Sequence, residues 1–419
     1  VSGTKNYYLK IMRILQVNKF HYPRGGADKY YLELGKSLEK TGHKVAYFSM
    51  KHPKNLKTLY SKHFISRLSF NEGGLVDKIK APGRMIYSLE AKRKFRQLVN
   101  DFKPDIIHIH NIYHQISPSI LDVARAKKIP VVMHLHDYKL ICPNYQLFCQ
   151  GKICEACKKN KYFNCVKKRC FKNSFSKSLL AALEMTIHHN ILGIYKKGIT
   201  LFIAPSHFMK EKVGEYGWDK ERIKVIYNPF SANLEASDSE IENIEKQNYL
   251  LYFGRLSKEK GLNILISAIS KSGSQLKIAG IGPEEKNLKE LSYNLKASVE
   301  FLGFKSGKEL KDLIIKARAV IIPSIWYENM PLSMLEALNL GTPVIASEIG
   351  GMPEIIKTGY NGLLFKPGNE EDLVEKISSI NNYDLKKLSQ QARSSTKDLT
   401  ANNNLNKVVE IYKEILGNK

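Results

Sequence analysis

The chain has 419 residues, 43% of them hydrophobic and 25% charged. That composition excludes a disordered chain, and the length leaves room for two or three domains. With 66 Lys and Arg against 40 Asp and Glu the net charge is +26, which points to a polyanionic partner: nucleic acid, an anionic membrane or a phosphate-rich substrate.

The charge is lopsided. Residues 1–200 hold 37 basic against 12 acidic side chains, and residues 201–419 hold 29 against 28. A uniformly basic protein of the ribosomal kind is disfavoured. A generally lysine-rich coat would spread the excess over both halves. No apolar run approaches 18 residues, and the amino terminus lacks the apolar core of a signal peptide. A cytoplasmic location is therefore expected, with Met12 opening the folded part.

In chain order, short apolar runs alternate with amphipathic helices. Strands are predicted at Ile11–Val17, Val45–Met50, Asp105–His110, Val131–His136, Leu201–Pro205 and Ile223–Tyr227. Helices are predicted at Ala27–Glu39 and near Pro118–Lys127. A polar, acidic stretch over 231–248 reads as a linker. The alternation then restarts with Tyr249–Phe253, Gln275–Ala279, Val299–Leu302, Ala319–Pro323, Pro343–Ser347 and Gly362–Phe365. Strands alternating with helices predict parallel sheets, so two doubly wound α/β domains are expected.

Such sheets bind ligands beyond the carboxyl ends of their strands. The loops there are the unusual parts of this sequence. Gly254-Arg255-Leu256-Ser257-Lys258-Glu259-Lys260-Gly261 follows a strand and opens a helix, so Arg255 and Lys260 would flank backbone N–H groups suited to a diphosphate. A solvated turn with two surface cations is the plain alternative. Glu328-Asn329-Met330-Pro331-Leu332 also follows a strand, and Pro331 suits a first helical turn. Glu336 then lies on the helix, where a carboxylate could accept two hydrogen bonds from vicinal ribose hydroxyls. The macrodipole explains an acid at Glu328 but not one as deep as Glu336. Gly282 and the Gly25-Gly26 pair allow close backbone approach to a ligand, or mark ordinary turns. His134 and His136 share one face at a strand end.

These pieces in this order resemble family 4 glycosyltransferases. The resemblance runs from Met12 to about Lys376. Its core is Ile322-Pro323-Ser324 through Glu328 and Glu336, then Gly341-Thr342-Pro343-Val344-Ile345-Ala346-Ser347, Gly350–Ile356 and Asn361–Phe365. The resemblance implies the GT-B fold, two Rossmann-like domains facing each other across a cleft. It implies an acceptor-binding domain over 12–230, a linker over 231–248 and a nucleotide-sugar donor domain over 249–400, with a last helix over 400–419 crossing back. Arg255 and Lys260 would meet the donor diphosphate, Glu336 the ribose, and Glu328 with the backbone of Asn329, Met330, Pro331 and Leu332 the donor sugar. Gly26 would close on the diphosphate, and His136 would stand beside the donor's sugar and phosphate; from their own loops, Gly25 and Gly282 are counted as donor-binding too. The family's first loop reads Gly-Gly-Ala-Glu; here the acid is Asp28. The implied reaction is retaining transfer from a UDP- or GDP-sugar. Two cations would neutralise the leaving diphosphate, so no catalytic metal is required.

All six cysteines lie between 142 and 170. Structural disulfides are disfavoured in the cytoplasm. Cys149, Cys154, Cys157, Cys165 and Cys170 admit a structural zinc, free thiols or an iron–sulfur centre. An insert beginning His-Asp-Tyr and then Cys-Pro is similar to that of cell-surface polysaccharide members. This insert, 142–175, is basic: residues 151–180 carry nine Lys or Arg against Glu155 alone. Arg84–Arg96 is a second basic, apolar-laced stretch. Such segments lie on anionic membranes, where a polyprenyl-diphosphate-linked glycan acceptor resides. The expectation is a peripheral enzyme on the inner face of the cytoplasmic membrane. The alternatives are a nucleic-acid-binding protein with a zinc module, or a GT-B enzyme of another class such as an epimerase.

Overall fold

The computed structural model describes residues 11–68, 82–231, 234, 240 and 245–417. Residues 1–10, 69–81, most of the acidic linker and residues 418–419 lie outside them.

Two six-stranded sheets form, each wholly parallel. The first has strands β1 (Arg13–Val17), β2 (Lys44–Phe48), β3 (Ile106–Ile109), β4 (Val131–His134), β7 (Leu201–Ala204) and β8 (Ile223–Val225) in the order β2-β1-β3-β4-β7-β8. A small antiparallel hairpin, β5 (Phe148–Cys149) and β6 (Lys152–Ile153), rises from the insert. The second sheet has β9 (Leu250–Phe253), β10 (Leu276–Ala279), β11 (Val299–Gly303), β12 (Ala319–Ile322), β13 (Val344–Ser347) and β14 (Gly362–Phe365) in the order β11-β10-β9-β12-β13-β14. That is the doubly wound arrangement, with its switch point between β9 and β12.

The strands are near-continuous apolar runs because helices cover both faces. Leu250, Leu251, Tyr252 and Phe253 are all buried, with Leu251 and Phe253 in one core layer and Leu250 and Tyr252 in the other. The last helix, Ala401–Gly417, does not stay with the second sheet. Its buried row of Leu405, Val408, Val409 and Tyr412 packs with Met12, Ile14, Ile106 and Ile203 of the first. Each such side chain contributes roughly 1.5–3 kcal/mol. Tyr30 Oη donates to Asn404 Oδ1 at 3.0 Å, and Asn404 Nδ2 to the Tyr227 carbonyl at 3.0 Å. The two chain crossings run side by side, with Phe230 N–H donating to Leu399 O at 3.2 Å.

Candidate active site

The loops after β9 and β12 meet at the switch point of the second sheet. A short 3-10 turn, Lys258–Lys260, precedes Gly261 and the helix Leu262–Ser272. Gly261 has φ +69°, and a Cβ there would lie 1.9 Å from the Pro323 carbonyl oxygen. Only glycine permits that approach. It seats Lys260 against Glu328: Nζ donates to Oε1 at 2.6 Å, and Ser324 Oγ donates to the same oxygen at 2.6 Å. Glu328 is 5% exposed. Burial alone would raise its carboxyl, but Lys260 and these hydrogen bonds outweigh burial and hold it below the ordinary range. From behind, Gly351 N–H donates to the Glu328 carbonyl at 2.8 Å.

Asn329, the next residue, reaches the other domain. Its Nδ2 donates to the His136 carbonyl at 3.0 Å, while its buried Oδ1 has no hydrogen-bond partner among the described residues. Tyr327 Oη donates to Glu155 of the insert at 2.8 Å. The Met330 side chain is buried in the second domain's core, which leaves only its backbone to face a ligand. Pro331 stands just before the helix Leu332–Asn339, at the cap and not in the first turn. Glu336, 9% exposed, sits on that helix opposite Lys29 and Glu33 of the helix Gly26–Lys40. Burial raises its carboxyl to about 7, with Lys29 opposing and Glu33 reinforcing.

Gly25 caps the helix that Gly26 begins. A Cβ on Gly26 would come within 3.2 Å of Leu332 Cδ1, so two helix amino termini converge here from the two domains. Asp28 turns inward, accepting from Asn18 Nδ2 at 2.8 Å. Gly282 approaches a loop and not open space: its Cβ would lie 2.1 Å from the Leu256 carbonyl oxygen. Arg255 is exposed. Burial raises the phenol of Tyr145, and the charges of Arg255 and Arg24, one from each domain, oppose that.

His136 heads a stack of four imidazoles. Pairing of β3 with β4 sets His108 opposite Val132, so two His-x-His runs lie side by side. Ring centroids are 4.5 Å apart for His134 and His136, 5.2 Å for His110 and His136, and 4.5 Å for His108 and His110. His110 Nε2 meets Gln16 Oε1 at 2.8 Å, and His110 Nδ1 meets His136 Nε2 at 2.9 Å. Gln16 Oε1 can only accept, so His110 carries its proton on Nε2. His136 must then donate from Nε2, and its Nδ1 keeps a lone pair. Burial, with help from Lys19, pushes His136 down to about 3, so the ring is neutral at physiological pH. Behind the stack, His108 Nδ1 bonds Tyr412 Oη of the last helix.

The cysteines gather in the insert. Cys142 Sγ donates to Asn144 Oδ1 at 2.9 Å, Cys149 Sγ to Lys168 O at 3.8 Å and Cys170 Sγ to Cys165 O at 3.5 Å. Burial pushes Cys142 up to about 11, and burial with nearby Cys170 pushes Cys149 to about 12. Among the described residues no group of three or more His, Cys, Asp or Glu is arranged to hold a metal ion. The thiols are nonetheless neighbours: Cys170 is in side-chain contact with Cys165 and Cys149, and Cys154 lies near both Cys149 and Cys170.

The sequence reading missed Ser324, Gln16, His110 and the Asn329 bridge. The repeated His-x-His at two strand ends was the available signal for His110. Ser324 was named only as a motif letter, and Asn329 only for its backbone toward the donor sugar.

A doubly wound pair of domains with a buried carboxylate, a paired lysine and facing helix amino termini is the arrangement expected of a GT-B glycosyltransferase. The family model for glycosyltransferase family 4 matches residues 24–233, and that for glycosyl transferases group 1 matches 235–398. The chain belongs to glycosyltransferase family 4, and its activity class is glycosyl transfer. It is 34% identical over 195 residues to an uncharacterized glycosyltransferase of Methanocaldococcus jannaschii, covering 42% of this chain and half of that protein. It is 26% identical over 361 residues to a 42.6 kDa protein in the cps region of Klebsiella pneumoniae, covering 82% and 87%. Among solved structures, Anabaena Alr3699/HepE in complex with UDP aligns at a TM-score of 0.67 and 19% identity, over 96% of this chain and all of that one.

Proposed function

We propose that the chain moves a sugar from a nucleotide-sugar donor, with retention of configuration, onto a growing surface glycan carried by a polyprenyl diphosphate. The Glu328 site is the observation that carries this. A carboxylate held ionised inside a cleft wall accepts hydrogen bonds from sugar hydroxyls. Lys260 beside it and exposed Arg255 supply positive charge for the departing diphosphate. Glu336 would accept from the ribose. Neutral His136, with an Nδ1 lone pair, would accept a hydroxyl of the donor sugar without adding charge. The converging starts of the helices at Gly26 and Leu332 would shape the phosphate pocket when the domains close.

With the leaving diphosphate able to take the acceptor proton, the chain needs no separate base. The complex of HepE with UDP supports a uridine donor. The cps-region relative supports a surface glycan. The basic first domain supports an acceptor at an anionic membrane, with nucleic acid the runner-up partner. The test is a panel of nucleotide sugars, UDP and GDP forms first, scored for thermal stabilisation and nucleotide release. Stabilisation and turnover by none of them would refute the reading.

A further inference from the structure

The helix Phe175–Met185 and the π-helical turn Thr186–Ile191 that continues it are apolar on two sides. The inner side, with Ala182 and Met185, packs on Tyr162, Cys157 and Cys165. The outer side carries Phe175, Leu179, Leu183, Ile187 and Ile191, one residue in every four. Phe175 is 56% exposed, Leu183 47% and Ile191 68%. Steps of four drift around a helix of 3.6 residues per turn, and the wider π turn takes up that drift. The row therefore stays on one side.

The segment that carries it is basic. Residues 151–200 contain eleven Lys and Arg, and their only acids are Glu155 and Glu184. Both acids are paired inward, Glu155 with Lys212 at 2.9 Å and Glu184 with Lys139 at 2.7 Å. His188 meets the Ile86 carbonyl at 2.7 Å, which sets the second basic stretch beside the first. Among the described residues no helix is long and apolar enough to cross a bilayer.

We infer that this row is an in-plane docking face for an anionic lipid bilayer. An exposed apolar row in a strongly basic segment fits the boundary between headgroups and acyl chains. The face is rigidly tied to the cleft. Glu184 follows Leu183 and holds Lys139, three residues beyond His136. A bilayer under the row would therefore lie close to the acceptor side of the site. The purpose of the face rests on the membrane-borne acceptor proposed above; its evidence does not.

The test uses the full chain with vesicles of phosphatidylcholine, alone or mixed with phosphatidylglycerol. The chain should sediment with the mixed vesicles and not the neutral ones, less so at high salt. The variant Leu179→Glu/Leu183→Glu/Ile191→Glu should bind about tenfold or more weakly. Its melting temperature and donor turnover without acceptor should match the parent's. Lys172→Glu/Lys177→Glu should weaken binding in the same direction. Equal binding by the parent and the apolar variant overturns the inference, as does a parent dimer that the apolar variant dissolves. If no nucleotide sugar is turned over but the vesicle results hold, the transferase site reading fails and the docking face stands.

Discussion

Lys260→Met removes one cation and keeps its stem. Lys260 Nζ and Glu328 Oε1 are 2.6 Å apart, with side chains 22% and 6% exposed. At an effective dielectric of about 20 their attraction is roughly 6 kcal/mol. Desolvation of the two ions offsets much of that, yet deleting one partner of a buried pair costs about 3–5 kcal/mol. Screening at the partly exposed lysine reduces this to about 2–3 kcal/mol. In a domain of this size that is roughly 4–12 °C in Tm. The loss should depend on pH. In the parent the lowered Glu328 carboxyl contributes stability above its unfolded value of 4.5, lost as pH falls through the folded one. In the variant only hydrogen bonds from Ser324 and Trp326 still oppose burial, so the carboxyl rises relative to the parent and the deficit shrinks as pH falls. Lys260→Met/Glu328→Gln, with both charges gone, should regain most of the stability while sugar transfer stays lost. Thermal melts between pH 8 and pH 5 check this. A single variant melting within about 1 °C of the parent at pH 7, or a double variant weaker than the single, refutes the reasoning.

Three further outcomes are expected. Glu336 has its carboxyl raised from 4.5 to about 7, so it costs stability as pH rises through that window; Glu336→Gln should melt higher than the parent at pH 8, equally at pH 4, and bind donor more weakly, as calorimetry would measure. Gln16→Leu deprives His110 Nε2 of its acceptor and should cost about 1–3 kcal/mol in denaturant melts; it should also raise KM for the donor, because the His136 tautomer is no longer fixed. Tyr412→Phe removes one hydrogen bond to His108 and should cost about 1 kcal/mol, with kcat unchanged.

Much of the fold was legible because parallel strands covered on both faces must be apolar runs, as Leu250–Phe253 and Ala319–Ile322 are. The loops carrying chemistry were legible because they follow those strands. Contacts were not. Lys260 and Glu328 are 68 residues apart and meet only because β9 and β12 are neighbours at a switch point. The His110–His136 bond needs the β3–β4 register, which no spacing encodes. Cysteine spacing says which thiols are near in the chain, not where each Sγ points. The Phe175–Ile191 row is plain as a four-residue period, but a helix apolar on two sides does not declare which side is the core.

Sugar transfer itself is the most direct test of the site. The donor selected from the panel is incubated with lipid-linked acceptor, and nucleotide release and the anomeric configuration of the product are read by NMR. The parent should give a product with the donor's configuration, while Glu328→Ala and Lys260→Ala, still folded by circular dichroism, should lose about a hundredfold or more in kcat. Near-normal turnover by both variants, or a product of inverted configuration, would contradict the account.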